Sequence, residues 1–67
     1  MNRVHYNISG LQNIQVKTQV ENALEKLKGV QMVNVDFKRG SVEVGYNELI
    51  EESEIKKCIE HVGCRIE

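Results

Sequence analysis

Hydrophobic and polar residues alternate in several short stretches of the chain, and this period of two is typical of β-strands with one buried face. Residues 38–41 include a glycine and predict the turn of a hairpin. Residues 64–67 are long enough for a last short strand, in which Cys64 and Ile66 share a face. Together with this segment, the predicted strands are residues 3–8, 33–37 and 42–46.

Two longer stretches follow the helical period instead. In residues 16–28 the apolar side chains recur every three or four positions, which predicts an amphipathic helix. Asn13 is suited to cap the start of this helix, and Gly29 stands where a left-handed residue would end it. A second helix is expected to be capped near Ser53 or earlier and to end at Gly63. The two apolar stripes are Val16, Val20, Ala23, Leu24 and Leu27, and then Ile55, Cys58, Ile59 and Val62.

The predicted order of elements is βαββαβ. Right-handed crossovers in both halves would put the two helices on one face of a four-stranded antiparallel sheet. We therefore expect an α+β fold, the ferredoxin-like sandwich. The other face of the sheet would expose Arg3, His5, Asn34, Asp36 and Glu43.

Composition limits what such a chain can do. With 67 residues, 40% hydrophobic and 28% charged, it is expected to form one globular domain over residues 1–67. A core of that size leaves little room for a deep pocket, so we expect no enzyme. The formal charge of −1 offers no basic surface for nucleic acid. Two cysteines, without a long apolar run near Met1, predict a reduced cytoplasmic protein that does not enter a membrane.

Other functions of this topology need residues that the chain does not offer. An RNA-recognition module needs aromatic side chains on the open sheet face, whereas Tyr6 and Tyr46 share the phase of the buried set. A phosphate-handling enzyme would want a basic or glycine-rich loop after the first strand, and residues 9–13 contain no arginine. A small-molecule-sensing domain is a further hypothesis, but nothing in residues 10–13 singles out a ligand.

Residues 10–30 read GLQNIQVKTQVENALEKLKGV. This segment resembles the heavy-metal-associated, copper-chaperone-like family, whose pattern is Gly-Met-x-Cys-x-x-Cys, then a Val-Glu-x-Ala-Leu helix and Gly-Val. The similarity continues through VNVDF at 33–37, SVEVGY at 41–46 and IKKCIEHVGCRIE at 55–67, and so covers nearly the whole chain. The residues that match the helix pattern in register are Val20, Glu21, Ala23, Leu24, Leu27, Gly29 and Val30.

The metal loop departs from this pattern. In the family, the two cysteines at the start of the first helix bind a soft metal ion as thiolates. The resemblance puts Asn13 and Val16 at these two positions, and neither side chain can form a thiolate. Asn13 is interpreted as an N-cap and Val16 as part of the apolar stripe. The degenerate metal loop comprises Gly10, Leu11, Gln12, Asn13 and Val16, with Leu11 where the family has Met.

A few apolar or soft side chains remain to be interpreted. Ile14 is expected to pack locally, with a small docking patch as the alternative. Cys58 is expected to be an inert core thiol because it falls on the apolar stripe. Cys64 is interpreted either as a thiol near the surface, facing Gln12 and Asn13, or as a half-buried strand residue. The side chains to which no role is assigned are Met1, Met32, His5 and His61, the two histidines being expected in solvent without a ligand partner at close spacing.

Two functional hypotheses follow from the resemblance. The first is a protein-interaction or regulatory module of metal homeostasis that has lost its cargo site. Its implied partner is a related domain of a metal-transporting ATPase or a second copy of the chain. The second hypothesis is a metal-binding protein that uses a displaced site at Cys64, alone or paired across a dimer, for Cu(I) or Zn(II).

Overall fold

The computed structural model describes residues 2–67, and Met1 lies outside the described residues. Four strands and two helices follow one another in the predicted βαββαβ order. The helices are α1 (Ile14–Glu25) and α2 (Glu52–Val62). The strands are β1 (Asn2–Ser9), β2 (Val30–Asp36), β3 (Ser41–Tyr46) and β4 (Arg65–Ile66).

The strands form one antiparallel sheet in the order β2-β3-β1-β4. In its centre, His5 and Asn34 both pair with Glu43, so these three side chains lie on the same face of the sheet. The predicted open face is confirmed, since its residues are exposed except for Glu43, which is half-buried. The predicted ferredoxin-like α+β fold is therefore confirmed.

The core lies between the sheet and the helix pair, where the apolar faces of both layers meet. Val20 and Leu24 of α1 and Ile55 and Ile59 of α2 are fully buried, as their place on the helical stripes predicts. The remaining buried hydrophobic residues are Ile8, Val35, Val42, Val44, Ile50 and Cys64. No helix within residues 2–67 has the length and apolar character that crossing a membrane requires.

Tyr6 lies on the helix side of the sheet, as its phase in β1 predicts. Its hydroxyl donates a hydrogen bond of 2.5 Å to Glu52 Oε2, and the Lys56 ammonium lies 5.8 Å from the centre of its ring. Burial and the hydrogen bond to Glu52 raise the pKa of the Tyr6 hydroxyl above its ordinary value. Because the ring is engaged by α2, it is not available as a stacking platform for a nucleic-acid base.

The first helix ends earlier than its apolar stripe predicts. α1 begins at Ile14, directly after the predicted Asn13 cap, and ends at Glu25, before Lys28. Gly29 does have a left-handed φ of +102°, but it belongs to the turn into β2, where its carbonyl accepts the Asn47 N–H at 2.9 Å. A Cβ at Gly29 would lie 3.0 Å from the Ile50 side chain, so this glycine is required by close packing rather than by the end of the helix.

Residues next to each end of the second helix determine where it begins and ends. Glu51 is its N-cap and forms a reciprocal capping box with Glu54, whose carboxylate accepts the Glu51 N–H at 3.2 Å. The cap is thus two residues before Ser53, and the helix begins at Glu52. Gly63, with a φ of +111°, ends the helix as predicted, and β4 then begins at Arg65 instead of Cys64.

Candidate functional site

The loop between β1 and α1 is built around a close approach of two backbones. Gly10 has a φ of +100°, and a Cβ on it would lie 3.2 Å from the Gly63 carbonyl oxygen and 3.4 Å from the Cys64 Cα. The Gln12 N–H donates to the Gly10 carbonyl at 2.9 Å and closes a tight turn. Only glycine combines this backbone conformation with this clearance, so Gly10 fixes how the loop passes over the end of α2.

Asn13 then caps α1, which confirms its predicted structural role. Its backbone is extended, and its Oδ1 accepts the Val16 N–H at 3.0 Å. The Asn13 carbonyl accepts the Lys17 N–H at 3.2 Å. The amide oxygen that faces into the helix is therefore already used by the backbone.

Val16 and Leu11 are half-buried and pack against the core, so the prediction that Val16 joins the apolar stripe is also confirmed. Ile14 behaves differently. Its side chain is 60% exposed on the first turn of α1, and the expectation that it packs locally is wrong. The reason is that Ile14 is the first residue of α1 after its N-cap, at a position that points away from the stripe that Val16 and Val20 occupy.

Cys64 lies beneath the loop but is not accessible from it. It is 2% exposed, and its Sγ would be 3.9 Å from a Cβ at Gly10. The expectation of a thiol near the surface, facing Gln12 and Asn13, is therefore wrong, because Cys64 belongs to the hydrophobic core cluster. The half-buried strand alternative is also wrong, since Cys64 precedes β4 and is fully buried. Burial raises the pKa of its thiol above the ordinary value of 9.0.

A second thiol lies on the outer face of the helix layer. Cys58 packs against the core but stays half-exposed, and burial raises its pKa from 9.0. It lines a groove between the helices together with His61, which is exposed as predicted. Cys58 was expected to be an inert core thiol, and it does pack against the core but is not fully buried. His61 was expected to have no ligand partner at close spacing, yet it lines the same groove as Cys58, which lies three residues before it on one helix.

The donor atoms of the loop do not make a soft-metal site. Within residues 2–67, no three His, Cys, Asp or Glu side chains gather where they could hold a metal ion. The Asn13 side chain provides only amide atoms, and Val16 provides no donor. The nearest thiol, Cys64, is buried, and this burial raises its pKa. The residues present therefore do not fit a thiolate-bound ion in this loop.

Known proteins share this architecture closely. The heavy-metal-associated domain model matches residues 6–64. The solved CopZ metallochaperone superposes with a TM-score of 0.93 at 28% identity, covering 98% of this chain and 100% of its own. A copper-binding domain from HMA7, a P-type ATPase, gives a TM-score of 0.93 at 26% identity, covering 100% of this chain and 92% of its own.

A further solved structure has the same fold. The N-terminal domain of a potential copper-translocating P-type ATPase from Bacillus subtilis gives a TM-score of 0.90 at 24% identity, covering 97% of this chain and 82% of its own. No curated protein sequence matches the chain. Because the domain model spans residues 6–64, from β1 to the end of the α2 turn, this chain belongs to the heavy-metal-associated domain family.

Proposed function

We propose that this chain is a non-catalytic heavy-metal-associated module whose loop carries no metal and which acts by contact with other proteins. One observation carries this proposal. Asn13 Oδ1 accepts the Val16 N–H at 3.0 Å, and the Val16 side chain packs against the core. Both positions at which the family pattern has cysteine are therefore used to hold the start of α1 in place.

The chemistry of the donors supports the loss of cargo. Cu(I) prefers thiolate and thioether sulfur, whereas an amide oxygen is a hard donor. The one sulfur near the loop belongs to Cys64, which is 2% exposed and would have to leave the core to bind an ion. Leu11 adds no donor where the family has Met.

The partner that we propose is a related domain of a metal-transporting ATPase in the cytoplasm, or a second copy of the chain. Known structures of similar shape include a metallochaperone and a copper-binding domain of a P-type ATPase. The contact surface we propose is the loop end, which consists of the exposed Ile14, the half-buried Leu11 and the cationic Lys17. An exposed isoleucine beside a charged rim is the composition of a small docking surface.

Copper binding provides the first test. The wild type and an Asn13→Cys/Val16→Cys variant are titrated with Cu(I) in competition with a chromogenic chelator, under reducing conditions. We expect the chelator to keep all copper from the wild type and to lose one equivalent to the variant. The titration is repeated in the Cys58→Ala background, so that copper held elsewhere is not assigned to the loop. The proposal would be refuted if the Cys58→Ala protein, with Asn13 and Val16 unchanged, held one equivalent of Cu(I) against the chelator.

The competing hypothesis of a displaced site at Cys64 is tested in the same titration. If Cys64 binds copper or zinc, the metal retained by the Cys58→Ala protein must disappear in Cys58→Ala/Cys64→Ala. Our proposal expects the two proteins to behave alike, with circular dichroism used to verify that both are folded.

Docking provides the second test. The ¹⁵N-labelled chain is titrated with the Bacillus subtilis ATPase N-terminal domain, and amide shifts are followed. We expect Ile14→Glu to weaken the complex at least about tenfold, because a charge replaces an apolar contact. Leu49→Glu is the matched control, since Leu49 is equally exposed, at 64% against 60%, but lies at the other end of the sheet. Equal effects of the two substitutions would refute the loop-end surface.

A further inference from the structure

The groove between the helices contains two side chains that can bind a metal ion, away from the loop. Cys58 and His61 are three residues apart on α2, and both line this groove. Side chains at this spacing have Cβ atoms about 5–6 Å apart. Zinc binds thiolate sulfur at about 2.3 Å and imidazole nitrogen at about 2.0–2.1 Å, so one ion can bridge such a pair.

One chain supplies only half of a zinc site. No third His, Cys, Asp or Glu of residues 2–67 joins Cys58 and His61 in a metal-binding group. A structural zinc ion takes four ligands in tetrahedral geometry. A second copy, related by a two-fold axis through the ion, supplies the same two ligands and completes the set.

We propose that Zn(II) joins two copies of this chain through Cys58 and His61 of each copy. The ligand set is two sulfurs and two nitrogens, which in tetrahedral geometry is typical of zinc. Each thiol releases its proton to solvent as its sulfur binds, and the two thiolates neutralise the charge of the ion.

The surroundings of the pair suit a neutral centre between two helix layers. The apolar wall of the groove comes from Ala23, Leu27 and Val62, which a second copy would cover. The charged residues of the groove, Glu54 and Lys57, have opposite signs and leave no net charge. Burying a neutral metal centre there is much less costly than burying a free ion.

This site does not depend on the proposed function of the loop. It uses the outer face of the helices, whereas the loop end would contact the ATPase domain through Ile14. Either proposal can therefore fail without affecting the other.

Sedimentation and native mass spectrometry of the reduced full chain, with and without Zn(II), test the site. We expect the metal-free protein to be a 7.7 kDa monomer and its mass to double when half an equivalent of zinc is added. Replacement of zinc by Co(II) should give the intense visible absorption of a tetrahedral ion and a thiolate charge-transfer band. Absence of zinc-dependent dimerisation, or one zinc bound per monomer, would overturn the proposal.

Matched variants locate the ligands. Cys58→Ala and His61→Gln should each abolish dimerisation. Cys58→Ala should also remove the thiolate charge-transfer band of bound cobalt, and His61→Gln should remove the visible absorption of the tetrahedral ion. His5→Gln, on the open sheet face, and Cys64→Val, in the core, should keep both. Circular dichroism verifies folding, and His5→Gln alone suffices as control if Cys64→Val unfolds. Dimerisation that survives in His61→Gln, or disappears in His5→Gln, would overturn the assignment.

Discussion

The two cysteines of the chain lie only six positions apart but in different environments. Cys64 is 2% exposed and packs within the core cluster between the sheet and the helices. Cys58 is half-exposed in a groove that it shares with His61. A thiol that lies close to the family's metal loop is therefore not automatically able to bind metal. Its sulfur must also be accessible to solvent and have a second ligand nearby.

The largest expected difference between the two thiols is their reactivity in the folded, metal-free protein. We expect Cys58 to react with a disulfide reagent on the order of a thousandfold faster than Cys64, because Cys64 becomes accessible only when the domain opens and folded domains are rarely open. The single variants Cys58→Ala and Cys64→Ala assign the two phases. Similar rates would mean that the segment around Gly63 opens locally and that Cys64 is not protected.

Serine substitution should lower the stability of the folded protein more at Cys64 than at Cys58. In the core, Cys64→Ser buries a hydroxyl among apolar side chains, and we expect the free energy of unfolding to fall by about 1–3 kcal/mol. Cys58→Ser can hydrate its hydroxyl in the open groove and should cost less than about 1 kcal/mol. Urea denaturation of the metal-free proteins measures both values. A larger loss at Cys58 would reverse the comparison.

Asn13 should be the loop residue with the clearest structural contribution. Asn13→Ala removes the acceptor for the Val16 N–H and should lower the free energy of unfolding by about 1 kcal/mol. Gln12→Ala is the neighbouring control, at an exposed position, and should change stability by less than about 0.5 kcal/mol. If Asn13→Ala were as mild as the control, the cap would not explain why the loop persists without cysteine.

The smallest effect should be a loss of stability in alkaline solution. Burial raises the pKa of both thiols above 9.0 in the folded protein, so they ionise more readily in the unfolded chain. The free energy of unfolding should be constant below about pH 9 and fall as pH rises above it. Urea denaturation from about pH 8 to about pH 10 measures the slope. Cys58→Ala/Cys64→Ala should flatten it, leaving a decline above pH 10.0 from Tyr6, whose pKa is also raised.

Part of the candidate site could be predicted from local sequence, and part depended on how the elements pack. Asn13 was predicted as the cap of α1 because an asparagine oxygen can satisfy a free helix N–H wherever the chain goes next. The exposure of Ile14 was missed because this residue was assigned to the loop, although the Asn13 cap already places it on the first turn of α1, off the apolar stripe of that helix. The spacing of three between Cys58 and His61 was visible in the sequence, but the groove that both residues line depends on how α1 packs against α2.

The sequence by itself determined the order of elements, the polar face of the sheet and the absence of cysteine from the metal loop. These properties depend on periodicity and residue identity, which are local. Only the tertiary structure decided which thiol is accessible. Cys64 follows a left-handed turn at Gly63, and it is buried because it joins a core cluster built from residues that are distant in sequence, such as Ile8 and Val20. Such burial arises from contacts between elements, and the period of one element does not encode it.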